Sequence, residues 1–241
     1  MPVFALGPEP IFPDPRKAHP TGVLAVGGDL SPARLIVAYS QGIFPWPSEG
    51  MPLLWHSPPE RFLLQPDQVR INRSLRKALH KHPYEIRLDF AFDQVIEACS
   101  LAPRPGQDGT WLTAEMIKAY KELHRLGYAH SAEAWQDGKL VGGLYGVAVG
   151  AMFCGESMFA KADNASKIAL VTLCRQLARW QFLFVDAQVH TPHLEALGAK
   201  MVKRRTYLQR LADAVHAGIP PGAWRLDVDL EKGADEQRES T

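Results

Sequence analysis

Apolar positions recur along this chain with a period that changes from segment to segment. Leu24-Ala25-Val26 is a strand-like run that ends in Gly27-Gly28. Ser31 before Pro32 is a helix start, a capping side chain followed by proline at the first helical position. The helix expected over 33–41 puts Leu35, Ile36 and Tyr39 on one face and stops at Gly42. Residues 43–59 form an aromatic loop punctuated by proline. A basic helix is expected over 72–81, a strand over 84–88 and a helix over 92–98. The stretch 113–126 is amphipathic, with Thr113 as cap and Met116, Ile117, Tyr120 and Leu123 as its stripe. Strands over 129–135 and 140–149 are joined by Asp137-Gly138, and a third strand covers 151–159. A long helix over 165–180 leads to a buried strand over 182–189, and 206–208 reads as a last strand or turn. The tail from residue 231 is polar and expected to be disordered.

This succession predicts an α/β (α+β) chain: a small N-terminal α/β domain over 1–62, a catalytic domain over 63–230 and the tail over 231–241. Strands with interposed helices after residue 84 are the pattern of an acyltransferase sheet of the GNAT type. Such a sheet is mixed and mostly antiparallel, with a ligand cleft at the carboxyl ends of its strands.

Composition alters this picture little. With 241 residues, 46% apolar and 22% charged, the chain can bury a sizeable core. No run is apolar for the length of a membrane helix, and residues 1–15 do not read as a signal peptide. Three cysteines without close spacing suggest reduced thiols and a cytoplasmic protein, with no structural metal site. A net charge of +1 leaves any nucleic-acid partner to a local patch.

Four clusters carry candidate chemistry. Glu156 and Ser157 lie in the otherwise apolar run 153–159. Such a glutamate either faces water at an edge or is buried to bind an amine. Asp186 and Gln188 share one face of a strand by period-two geometry. They either tie down a loop at the sheet's end or orient and deprotonate a nucleophile. Among the aromatics Phe44, Trp46, Trp55, Trp111 and Tyr120, most belong to cores. Trp46 and Trp111 sit in Pro/Gly-rich segments and suit platforms for bases or apolar ligands. The fourth cluster is basic: Arg70, Arg73, Arg76, Lys77, His80 and Lys81, with Lys203-Arg204-Arg205 further on. It is either a solvated face or a track for phosphates. Cys154 as a nucleophile would need His190 or His193 as its base, and no nucleophile elbow, dinucleotide fingerprint or phosphate loop is present.

Many strings resemble one family in order. They include Gly27-Gly28-Asp29-Leu30-Ser31-Pro32, Gly42-Ile43-Phe44-Pro45-Trp46, Trp55-His56-Ser57-Pro58 and Gly109-Thr110-Trp111-Leu112-Thr113. Val141-Gly142-Gly143-Leu144-Tyr145-Gly146, residues 153–159, Asn164-Ala165-Ser166-Lys167 and Asp186-Ala187-Gln188 continue the match. From about residue 12 to 211 the chain resembles the leucyl/phenylalanyl-tRNA–protein transferases. The resemblance implies a small N-terminal domain packed on a GNAT-like one. It implies transfer of leucine or phenylalanine from aminoacyl-tRNA to proteins that begin with Arg or Lys, marking them for degradation; because an apolar pocket separates similar side chains weakly, methionine is expected to be used too, more weakly.

By position, it implies that Trp46, Trp111 and Tyr120 border the aminoacyl-adenosine end. Leu144, Ser157, Leu170, Leu173 and Leu177 would contact the transferred residue. Glu156, Asp186 and Gln188 would form the polar centre, and Arg73, Arg76, Lys77, His80 and Lys81 would follow the acceptor stem. No cofactor is implied, and a monomer is expected. The ester is already activated, so alignment, removal of one proton and oxyanion stabilisation suffice. Gln188 is expected to hold the α-amine and Asp186 to fix Gln188. The proton goes to Asp186 or to the tRNA ribose, and Glu156 has the alternative of holding the amino group of the transferred residue. Two rivals fare worse. An acetyl-CoA enzyme needs a glycine-rich turn that 161–167 lacks. A tRNA-binding module without catalysis leaves the polar trio unexplained.

Overall fold

The computed structural model describes residues 3–47, 52–81, 83–103, 112–218 and 222–231. Two sheets organise them. The smaller contains β1 (Phe4–Leu6), β2 (Val23–Gly27), β3 (Phe44–Pro45) and β4 (Leu54–His56) in the order β1-β2-β4-β3, with α1 (Pro32–Ser40) beside it. The larger has seven strands. It comprises β5 (Glu60–Leu64), β6 (Glu85–Leu88), β7 (Ala129–Gln136), β8 (Lys139–Val149), β9 (Met152–Ala160), β10 (Phe184–Asp186) and β11 (Lys200–Lys203). Their order is β11-β5-β10-β9-β8-β7-β6.

Every neighbouring pair in the larger sheet is antiparallel except β9–β10. A parallel pair requires a crossover, and α5 (Ala165–Arg179) supplies it. The expected fold class, a mixed and mostly antiparallel sheet with a small N-terminal layer, is therefore the one observed.

Local chemistry explains the helices. Ser31 Oγ accepts from the Arg34 amide at 3.4 Å, with Pro32 opening α1. Asn72 caps α2 (Arg73–His80) through the Leu75 amide at 2.9 Å, and Thr113 caps α4 (Ala114–Arg125) through Met116 at 3.3 Å. Helix α3 (Phe92–Leu101) precedes α4, while α6 (Pro192–Ala196), α7 (Arg204–His216) and α8 (Val228–Glu231) follow the crossover. Gly42 stops α1 at φ +74°, where an added Cβ would lie 2.6 Å from Tyr207.

Two apolar cores lie on opposite faces of the large sheet. One joins α1 and the small sheet to α3, α4 and α7, through Leu35, Tyr39, Trp55, Val95, Tyr120, Tyr145 and Leu211. The other packs α2, α5 and α8 on Leu64, Leu144, Phe153 and Val185. Gly142 lets α5 approach β8, since a Cβ there would stand 2.5 Å from that of Ala165. Residues from the N-terminal layer and the large sheet share the first core.

Two expectations are corrected. Residues 206–208 lie in α7, because Tyr207, Leu211 and Ala214 are buried at i, i+4 and i+7, a helical spacing. The strand expected over 182–189 is only Phe184–Asp186, because Gln188 adopts φ +62° and leaves the ladder. Residues 60–64 form β5 in the interior of the large sheet. The tail over 232–241 and Trp111 lie outside the described residues. No helix among the described residues is long and apolar enough to cross a membrane.

Candidate active site

The site begins where the parallel pair ends. β10 pairs with β9 only from Phe184–Met152 to Asp186–Cys154. Beyond that point β9 continues while the chain after β10 turns away at Gln188. The gap opens into a cavity of about 660 Å³. Phe44 and Trp46 from the N-terminal layer wall one part, and Leu64, Leu144, Phe153, Met158, Leu170 and Val185 make much of the rest apolar. Glu156 and Gln188 form one polar patch. Ser157, Ser166, Lys167, Thr191 and His193 are the cavity's other polar lining residues.

Glu156 is the carboxylate among the described lining residues. Its Oε1 accepts from Tyr39 at 2.9 Å and from the Gln188 amide nitrogen at 2.8 Å. Its Oε2 accepts from Tyr120 at 3.2 Å, and the two phenol oxygens lie 2.6 Å apart. Tyr39 comes from α1 and Tyr120 from α4, so two elements meet at one carboxylate. Burial pushes Glu156 up to about 7 and outweighs the hydrogen bonds, which act in the other direction. Burial, with the Glu156 charge second, also holds both phenols well above their usual range, so they remain donors.

Asp186 faces elsewhere. It is fully buried, and its carboxylate is paired with Arg61 of β5 through both Nη2 and Nε, the latter at 3.3 Å. It also accepts from the backbone amide of Gln188 at 2.8 Å. It thus fixes Gln188 through the backbone, while the Gln188 side chain points to Glu156 and lies 3.3 Å from the Cys154 sulfur. The left-handed turn at Gln188 is why the two side chains do not stand side by side on a strand, as period-two geometry suggested. The Cys154 thiol is pushed well above its normal value by burial and by the nearby Asp186 and Glu156, which disfavours a thiolate nucleophile.

Of the other residues singled out in the sequence, Trp46, Leu144, Ser157 and Leu170 line the cavity. Tyr120 lies behind Glu156 rather than on the open wall. Leu173 and Leu177 do not reach the cavity. They lie in the core one and two turns further along α5, and only its beginning borders the opening. Trp55 and Phe44 are core residues, and Phe44 also touches the cavity. Arg73, Arg76, Lys77, His80 and Lys81 are all exposed on or just after α2. Sequence reasoning missed Arg61 and the role of Tyr39, which its position had marked only as part of an apolar stripe.

The family model of leucyl/phenylalanyl-tRNA protein transferases matches residues 63–212, and that of their N-terminal domain matches 28–59. The chain belongs to this family. The family member from Myxococcus xanthus is 53% identical over 93% of this chain and 97% of its own length. Those from Chromobacterium violaceum and Nitrosospira multiformis are 51% and 54% identical, over 91% and 92% of this chain and 94% and 96% of theirs. As a leucyl/phenylalanyl-tRNA–protein transferase family member, the chain is an aminoacyltransferase. Among solved structures, a GCN5-related N-acetyltransferase-like protein from Streptococcus suis aligns with TM-score 0.32 and 14% identity, over 67% of this chain and 60% of that one.

Proposed function

We propose that this chain moves leucine or phenylalanine, and methionine more weakly, from aminoacyl-tRNA to the α-amino group of proteins that begin with Arg or Lys. The modified proteins are thereby marked for degradation in the cytoplasm. The observation that carries the reading is an apolar cavity with one carboxylate–amide pair at its polar end. The apolar part suits an aliphatic or aromatic side chain. Such a pocket separates neighbours by only about 1–3 kcal/mol per methylene, which is why methionine is tolerated.

The reaction needs a neutral amine, and Glu156 is placed to take its proton. With a pKa of about 7 it is close to that of a protein α-amine, roughly 7.7–8.0, so transfer between them is nearly balanced. Asp186 is held by Arg61 behind the wall and serves instead to set the Gln188 backbone. The Gln188 amide nitrogen is engaged by Glu156, which leaves its carbonyl oxygen to hold an amine N–H. The amine attacks the ester carbonyl, the C–N bond forms as the ester C–O bond breaks, and the departing tRNA hydroxyl takes up the proton that the nitrogen loses. Alignment in the cavity supplies a large part of the acceleration, on the order of 7–11 kcal/mol in favourable cases. The exposed cations of α2 support the acceptor stem. The protein acts as a monomer.

Single-turnover transfer of labelled leucine from tRNA to peptides tests this. Peptides beginning with Arg or Lys should be modified, and the same peptides beginning with Ala or Glu should not. Equal labelling of all of them would overturn the acceptor specificity, and labelling of none would overturn the reading.

A further inference from the structure

We infer that Trp224, on the segment that leads into α8, is a positioning residue: it sets the depth of the cavity through Phe153 and so tunes which amino acid is transferred. This rests on the functional reading above and adds to it a determinant of side-chain selection that lies outside the cavity.

Phe153 belongs to the closed wall, since it lines the cavity and is only 1% exposed. Its ring lies over the backbone of β8, where Gly146 makes room for it. A Cβ on Gly146 would stand 2.5 Å from Cζ of that ring. Trp224 is not a lining residue, yet it packs on the same ring, with centroids 5.6 Å apart and planes tilted by 44°. A close-packed side chain moves only where a void receives it. The indole fills the space into which Phe153 would otherwise retreat.

Trp224 is itself held from several sides. Its indole lies parallel to the His130 imidazole, with centroids 3.7 Å apart. Asp89 aligns the two rings. Its Oδ2 accepts from the Trp224 backbone amide at 2.8 Å and lies 2.8 Å from His130 Nδ1. Trp180 and Phe182 meet the indole edge to face at 5.2 and 5.6 Å. The residues that follow are pinned to the end of α5. The Asp227 amide donates to the Gln176 carbonyl at 2.8 Å, and Arg179 pairs with Asp227 at 3.0 Å and with Asp229 at 2.7 Å. An indole fixed in this way keeps Phe153 from yielding when a longer side chain enters the cavity. Removing the indole leaves a void that its neighbours fill only in part. Phe153 then retracts, the cavity deepens, and phenylalanine gains over leucine.

The quantity to measure is the ratio of kcat/KM for phenylalanyl-tRNA to that for leucyl-tRNA, with an Arg-starting peptide as acceptor. In Trp224→Ala the ratio should rise about tenfold, the low end of what one methylene is worth in an apolar pocket. The change should lie in KM, with kcat for both donors nearly unaltered, because the reacting ester is untouched. Trp224→Leu, a milder loss, should shift the ratio less in the same direction, and it carries the test if the alanine variant does not fold. Trp224→Phe keeps a ring behind Phe153 and should hold the original ratio. Leu230→Ala, a buried loss on α8, should lower stability to urea and leave the ratio in place. A ratio that stays fixed without the indole, or that moves as far in Trp224→Phe or Leu230→Ala, would overturn the inference while the functional reading stands. Transfer of neither residue by the unaltered protein would overturn the functional reading and this inference with it.

Discussion

Two phenols and an amide donate to Glu156, and such bonds lower a carboxylate pKa, yet it stands near 7. Burial is the larger influence, because the charged form loses more hydration than three donors return. The raised value gives the sign of a pH dependence. On the proposed role Glu156 takes the amine's proton only when ionised, so kcat/KM for an Arg-starting peptide should climb as pH rises through about 7. Tyr39 makes the hydrogen bond that opposes burial most. Removing it in Tyr39→Phe should move that rising limb to higher pH, by about one unit. A pH–rate profile of the two enzymes checks this. A limb that stays in place or moves lower would show that another group accepts the proton. Glu156 stood out in the sequence because a carboxylate in an apolar strand is costly unless used. Tyr39 gave no such signal, since a tyrosine on an apolar helical face is ordinary core until its hydroxyl is seen to meet a carboxylate from another strand.

At the scale of elements, legibility followed local chemistry. α1 and α4 were readable from Ser31 and Thr113, whose side chains cap them, and helices were also expected where α2 and α5 stand. The hairpin of β7 and β8 was readable from Asp137-Gly138. β5 was not, because its place between β11 and β10 depends on residues more than a hundred positions away. α7 was missed because a tyrosine flanked by Thr and Leu favours a strand locally, and only packing on Phe184 and Gly42 shows the helix. The basic character of α2 was plain in the sequence, and its residues are exposed in the fold. If this face follows the tRNA backbone, affinity should fall steeply with salt. Replacing Arg73, Arg76 and Lys77 with alanine should raise the KM for charged tRNA and flatten the plot of log affinity against log salt, by roughly 0.7–0.9 per lost phosphate contact. Filter binding from low to moderate salt measures the slope. An unchanged slope would mean that α2 is merely a solvated face.

Across the whole molecule, one buried ion pair links the layers that make the cavity. Arg61 lies on β5, and its guanidinium donates to the Gly42 carbonyl at the end of α1 at 2.7 Å. It stacks 4.9 Å from the Phe44 ring and 4.2 Å from that of Tyr207. Its carboxylate partner, Asp186, fixes the Gln188 amide and through it the polar end of the cavity. The N-terminal layer, α7 and the turn at Gln188 thus meet at one guanidinium. A buried pair contributes little net stability, because desolvation offsets attraction, but an orphaned partner is expensive. Arg61→Met should therefore destabilise the protein by about 3–5 kcal/mol, and Arg61→Met with Asp186→Leu by less than the sum of the two single changes. Urea denaturation of the four proteins gives the coupling. The double variant, folded but without an acceptor for the Gln188 amide, should still lose transfer activity if, as proposed, the Gln188 side chain holds the amine, because that residue is no longer set in place. Additive stabilities together with full transfer in the double variant would show that the pair neither joins the layers nor positions the site.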